Sequence, residues 1–190
     1  MGFMMQRIFI FGQWILLGAW IAFIVLTRKD IMDYISPIPS IPFSVDMSVD
    51  GNAPYYVAMK GFSMPEKWGR WSDGSKGQMR FLMNPADGRS LVMVLHFDAL
   101  AGPEYRQTFD FFFNGQFLKS VDYTSPKNHT LTMDVSGMIQ ETNHLVIKIR
   151  RPIAPRSLDP QSGDTRRLGI GLKRIDFLRG KDLPSSEPGS

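Results

Sequence analysis

Cysteine is absent from the chain. That excludes disulfide frameworks, cysteine metal sites and thiol nucleophiles, and it leaves the compartment to be read from other features. Histidine is scarce, with only His96, His129 and His144. Each falls in or beside an apolar alternating segment without His-x-x-x-His or His-x-His spacing, so they read as structural or solvated side chains. No metal and no cofactor is expected. There is no Gly-x-Ser-x-Gly elbow, no Walker loop and no EF-hand pattern, and Gly169-x-Gly171 is a fragment inside a strand-like segment. A dense basic block is also missing: the 22 Lys and Arg are scattered among 18 Asp and Glu for a net charge of +4. That distribution argues against nucleic acid as a partner.

What is present begins with a 19-residue run free of charge, IFIFGQWILLGAWIAFIVL, which starts at Ile8 and ends at Leu26 between Arg7 and the Arg28, Lys29, Asp30 group. At ~1.5 Å per residue such a run crosses a hydrocarbon layer of about 30 Å. No small-x-small cleavage site follows it, so an uncleaved transmembrane α-helix through the lipid bilayer is expected. Flanking charges are nearly balanced, and orientation rests on the short N-terminal tail, which is placed in the cytoplasm with the rest outside. ISPIPSIP, residues 35–42, has three prolines that deny helix and favour an extended stalk. LPSSEPGS, residues 183–190, lacks apolar periodicity and reads as a disordered tail. The division that follows is 1–29 tail and anchor, 30–44 stalk, 45–182 folded domain and 183–190 tail.

The folded part contains no long segment of helical period. Short runs rich in Phe, Val, Ile and Tyr are separated by turn signals, the pattern of an all-β fold. Strands are expected over 55–61, 78–83, 90–99, 108–113, 116–123, 129–135, 143–151 and 168–178. The clearest hairpin is FFFNGQFLKSV, because Asn114-Gly115 tolerates the positive φ that a two-residue turn demands. In LVIKIRR, Leu145, Ile147 and Ile149 alternate with Val146, Lys148 and Arg150, giving one packed and one mainly solvated face. The expected architecture is therefore a jelly-roll-like antiparallel β-sandwich preceded by one transmembrane α-helix.

Two connections carry more chemistry than a turn needs. FSMPEKWGRWSDGSKG, residues 62–77, places Glu66, Trp68, Arg70, Trp71 and Asp73 close together, and a long Pro- and Gly-rich loop over 152–167 ends on Arg166 and Arg167. Flat apolar rings beside charged hydrogen-bonding groups suit a sugar, which presents an apolar C–H face and a polar rim. The alternative is that Trp68 and Trp71 plug the sandwich while Glu66 or Asp73 pairs with Arg70. Tyr105 and Arg106, after the Gly102-Pro103 turn, fit either role. Arg166 and Arg167 meet an anionic group or solvate a sheet edge. Catalysis would need Glu66 and Asp73 to act as paired carboxylates, and nearness in a loop does not establish that geometry. No enzyme is expected.

The Gly61-Phe62, Pro65-Glu66 and Gly69-Arg70-Trp71-Ser72-Asp73-Gly74 string is followed by the FFFNG hairpin, the LTMDV and NHLVIKIRR pair and the closing RRLGIGLKRIDFL. Over about residues 55–178 this resembles the galactose-binding-like jelly-roll domain that accompanies bacterial membrane glycosyltransferases and polysaccharide-assembly proteins. The resemblance implies a non-catalytic accessory subunit of a polysaccharide synthase complex. Its domain would contact the synthase in trans, the emerging glycan, or both. It would sit as a single-pass protein of the bacterial inner membrane with a periplasmic domain. Two other readings stay open: a free-standing membrane-anchored lectin, and a hydrolase using Glu66 or Asp73.

Overall fold

Alternation of apolar and polar residues, repeated from strand to strand with turns between, builds two antiparallel sheets. The computed structural model describes residues 39–84 and 90–182. In chain order the elements are β1 Phe43–Asp46, α1 Ala53–Tyr56, β2 Val57–Lys60, β3 Arg70–Trp71, β4 Lys76–Leu82, β5 Leu91–Ala99, β6 Gln107–Phe113, β7 Gln116–Tyr123, β8 His129–Asp134, β9 Thr142–Ile149, α2 Pro155–Leu158 and β10 Ile170–Arg179. One sheet, sheet A, runs β1-β10-β5-β8, with β3 paired to the other end of β10. The second, sheet B, runs β2-β4-β9-β6-β7. The result is a jelly-roll-like sandwich whose neighbouring strands are often distant in sequence.

The core lies between the sheets because side chains of period two send every second residue inward. In β6, Phe109, Phe111 and Phe113 are fully buried, and across the gap Phe97 and Phe177 meet them from β5 and β10. Phe81 of β4 links the layers, its ring centroid 5.2 Å from that of Phe177 and 6.2 Å from that of Phe113. Offset and tilted rings at such separations suit the aromatic quadrupole and add to the area they bury. The Asn114-Gly115 turn closes β6 onto β7 with φ of 48° and 81°, the mirror-image turn that matches strand twist. Asn114 Nδ2 also donates to the Met138 carbonyl at 2.7 Å, tying this hairpin to the segment before β9.

Two short strands were not expected from sequence, β1 and β3. The expectation of a transmembrane α-helix is corrected. Among the described residues no helix is long and apolar enough to cross a membrane. The two α-helical segments there, α1 and α2, are single turns of four residues. The run from Ile8 to Leu26 lies outside the described residues, as do residues 30–38 of the expected stalk and the tail 183–190. The expectations that depended on the anchor are corrected with it: nothing in the described structure places the chain in a bacterial inner membrane, gives its sandwich a periplasmic side, or supplies contact with lipid.

Candidate functional site

The connection from β2 to β3 crosses from sheet B to sheet A. Phe62 plugs its start, its ring lying where a side chain on Gly77 would stand. A tight turn follows, with the Glu66 N–H donating to the Gly69 carbonyl at 2.8 Å. β3 then pairs with β10, opposing Trp71 to Gly171 and Arg70 to Leu172. Cross-strand partners share a face. Leu172 is buried in the core, so Arg70 stands on the inward face and Trp71 on the outward one.

Trp68 and Trp71 meet on that outward face, with centroids 5.3 Å apart and planes at 71°. They can approach the sheet there because Gly171 has no side chain: a Cβ on it would lie 2.8 Å from Trp68 Cη2 and 3.0 Å from Trp71 Cζ3. Trp68 Nε1 donates to Glu66 Oε2 at 2.9 Å. The other oxygen of Glu66 faces Arg166 Nη1 at 3.4 Å, and Arg166 also pairs with Asp164 at 2.6 Å. The Arg166 guanidinium holds the Asp164 carboxyl below its ordinary range, and Asp164 in turn raises Arg166. Beside Gly171 in register stands Asp98, ion-paired with Lys173 at 2.8 Å. Both indoles are partly buried and partly open. The arrangement is an indole pair with a charged rim whose members hold one another in place.

The remaining expected residues are divided among other places. Arg70 does not pair with Glu66 or Asp73; burial pulls its guanidinium below the ordinary value, and its buried Nε has no hydrogen-bond partner among the described residues. Asp73 accepts the Arg167 N–H at 3.1 Å, and Arg167 donates through Nη2 to the Pro152 carbonyl at 3.2 Å. The Tyr105 hydroxyl donates to the Arg151 carbonyl, and burial raises its pKa. Arg106 reaches Asp122 on β7 at 3.4 Å, an exposed pair worth little. So Glu66, Trp68, Trp71 and Arg166 converge, Asp73, Arg167 and Tyr105 brace the neighbouring loop ends, and Arg70 and Arg106 lie apart. Among the described residues no three of His, Cys, Asp and Glu gather to hold a metal ion.

A second arrangement, not found from sequence, lies on the outer face of sheet B. Phe112 is the outward member of the Phe111-Phe112-Phe113 run. It meets Phe117 edge-on at 5.4 Å, and Lys148 Nζ sits 4.6 Å from its ring centre. Phe117 is 58% exposed, a large ring left in solvent. Next to them is a shallow depression of about 220 Å³ lined by Ala58, Lys60, Gln78, Arg80, His144 and Val146, among others. The available signal was the aromatic triplet itself, since strict alternation forces its middle member outward.

A match to a known domain spans residues 34–179 and therefore takes in every described strand. The chain belongs to the family described as Domain of unknown function (DUF7024). Comparison with curated proteins gives no match. Among solved structures, the DUF7024 domain is similar to a CBM36 carbohydrate-binding module in complex with calcium and xylotriose, at 11% identity and TM-score 0.41, covering 71% of this chain and 98% of that one. It is also similar to a family 35 carbohydrate-binding module from Clostridium thermocellum, at 9% identity and TM-score 0.40, covering 70% and 97%. A mutant of the CBM29-2 module, from carbohydrate-binding family 29, aligns at 11% identity and TM-score 0.43, covering 76% and 98%.

Proposed function

We propose that this domain is non-catalytic and holds a carbohydrate, seated on Trp68 and Trp71, as an accessory to a polysaccharide-assembling glycosyltransferase that it meets in trans. One observation carries the seat: two indoles side by side and partly open, framed by the mutually paired Glu66, Arg166 and Asp164. A pyranose offers its C–H face to such rings and its hydroxyls to the rim. Because the rim charges already hold one another, little ordering remains to be done on binding. The carboxylates of Glu66 and Asp73 are engaged with Trp68 and Arg166 and with the Arg167 backbone, which suits holding rather than hydrolysis. The accessory role draws its support from the sequence resemblance.

The test is a binding screen of the purified full-length chain against neutral oligosaccharides, followed by Trp71→Ala. Loss of binding with an unchanged melting temperature supports the seat. A large fall in melting temperature makes Trp71 a packing residue and overturns it, as does the absence of any neutral ligand. Affinity purification from the native cell that recovers a glycosyltransferase supports the accessory role. If glycan binding stands and no such enzyme is recovered, the chain is a free-standing lectin.

A further inference from the structure

The outer face of sheet B has a chemistry that the indole seat lacks. Register sets its side chains in rows. One row crosses all five strands as Lys60, Gln78, Val146, Phe112 and Phe117. A second runs Ala58, Arg80, His144, and a third runs Lys76, Lys148, Asp110, Ser120. At ~4.8 Å between strands, four steps carry the first row across about 19 Å. That is long enough for several sugar rings in an extended chain.

Charge on this face is one-sided over β2, β4 and β9, while β6 and β7 add the acids Asp110 and Asp122. β2, β4 and β9 contain no Asp or Glu, yet they supply Lys60, Lys76, Arg80 and Lys148. All four are exposed. Among the described residues none of them lies within ion-pair reach of a carboxylate. The outward acid at the centre of β6, Asp110, is already taken by Arg150, which donates to both its oxygens at 3.0 and 2.9 Å, and by Ser120 at 2.6 Å. Lys148 stands opposite Asp110 and over the Phe112 ring, but Lys60, Lys76 and Arg80 have no counter-charge, and an anionic occupant supplies one.

We propose that this face binds an acidic polysaccharide strand, a uronate-bearing glycan laid across β2, β4, β9, β6 and β7. Phe117, backed by Phe112, takes the apolar face of one sugar. Lys60, Lys76, Arg80 and Lys148 take carboxylates along the strand, while Gln78 and His144 face its hydroxyls. Single-stranded nucleic acid needs successive rings on which successive bases stack, and this face offers one exposed aromatic pair at one end. The inference is independent of the indole seat: it uses the opposite sheet and a different ligand charge.

The experiment is titration of the full-length chain with polygalacturonate, with its carboxyl-reduced counterpart and with a single-stranded oligonucleotide, at two salt concentrations. Binding to polygalacturonate that weakens with salt, with at least tenfold weaker binding of the reduced polymer, is expected. The exposed double variant Arg80→Gln, Lys148→Gln should lose on the order of tenfold in affinity, and Phe117→Ala a similar factor, at unchanged melting temperature. Should Phe117→Ala disturb folding, Lys60→Glu reads the same cationic face from the far edge. Trp71→Ala should leave polygalacturonate binding unaltered, so the two seats fail or stand separately. The proposal is overturned by no binding, by equal binding of the reduced polymer, by tighter binding of the oligonucleotide, or by variants that keep full affinity.

Discussion

The indole seat and the outer face of sheet B both combine aromatic rings with charge, but they dispose of the charge differently. At the seat, Glu66 and Asp164 share the one cation Arg166, and Glu66 fixes the Trp68 ring through its N–H. On sheet B, Lys60, Lys76 and Arg80 face solvent without carboxylates, while the acids there are answered by other arginines, Asp110 by Arg150 and Asp122 by Arg106. A rim that is already paired has little left to offer an ion and suits a neutral ligand of fixed shape. A face of unpaired cations gives weaker geometry but longer reach, and its attraction falls with salt. The difference teaches that one sandwich has room for two ligand classes on surfaces that share no residue.

The sharpest way to break the comparison is to move one position along β6. Phe111 is fully buried, and Phe111→Ala should cost about 3–5 kcal/mol by denaturant unfolding, a core loss unrelated to any ligand. Phe112→Ala, one residue on, removes a half-buried ring with its contacts to Phe117 and Lys148 and should cost about 0.5–1.5 kcal/mol. Equal costs would mean that the outer ring is packing and not platform. Next in size is Gly171→Ala, whose new Cβ pushes on both indoles from beneath. It should cost about 1–3 kcal/mol and abolish neutral glycan binding while sparing polygalacturonate. Smaller again is Glu66→Ala, which takes the acceptor from the Trp68 N–H. A loss of about 1 kcal/mol is expected, with increased exposure of the indole to a fluorescence quencher.

How much of this was legible in the sequence follows from the range over which each interaction acts. Alternation in LVIKIRR and the Asn114-Gly115 turn are local, and strand β9 and the β6–β7 hairpin stand as read. β1 and β3 are four and two residues long, too short for a period to declare itself, and β3 lay inside what read as loop. The transmembrane helix was read from a run on which the described structure is silent, and no described helix takes that role. At the seat, the tryptophans and Glu66 were visible as neighbours. Their tie to Arg166 spans 100 residues, and the glycine that admits both rings is farther along still. The sheet B face was hidden more fully. Lys60, Arg80 and Lys148 are ordinary surface cations one at a time, and only the strand order β2-β4-β9 brings them together on one face.

The smallest expected effects come from two carboxylates, and they have opposite signs at the two surfaces. Hydrogen bonds from Arg150 and then Ser120 hold Asp110 below the ordinary carboxylate range, and hydrogen bonding from Arg166 does the same for Asp164. A depressed folded pKa contributes stability that is complete above the unfolded value of about 3.9 and is lost as pH falls through the folded one. Thermal melts should therefore be unaffected by these groups from neutrality to about pH 5 and fall more acid than about pH 4. Asp110→Asn and Asp164→Asn should each shallow that acid limb. Ligand binding at neutral pH separates them. Asp110→Asn removes the anion at the centre of the sheet B face and releases Arg150, so polygalacturonate affinity should rise by about threefold. Asp164→Asn frees Arg166 from its closest partner and loosens the rim around Trp68, so neutral glycan binding should weaken by a similar factor with no change toward the acidic polymer. A rise in both, or a fall in both, would mean that the two surfaces are one electrostatic site and that the comparison on which they are separated fails.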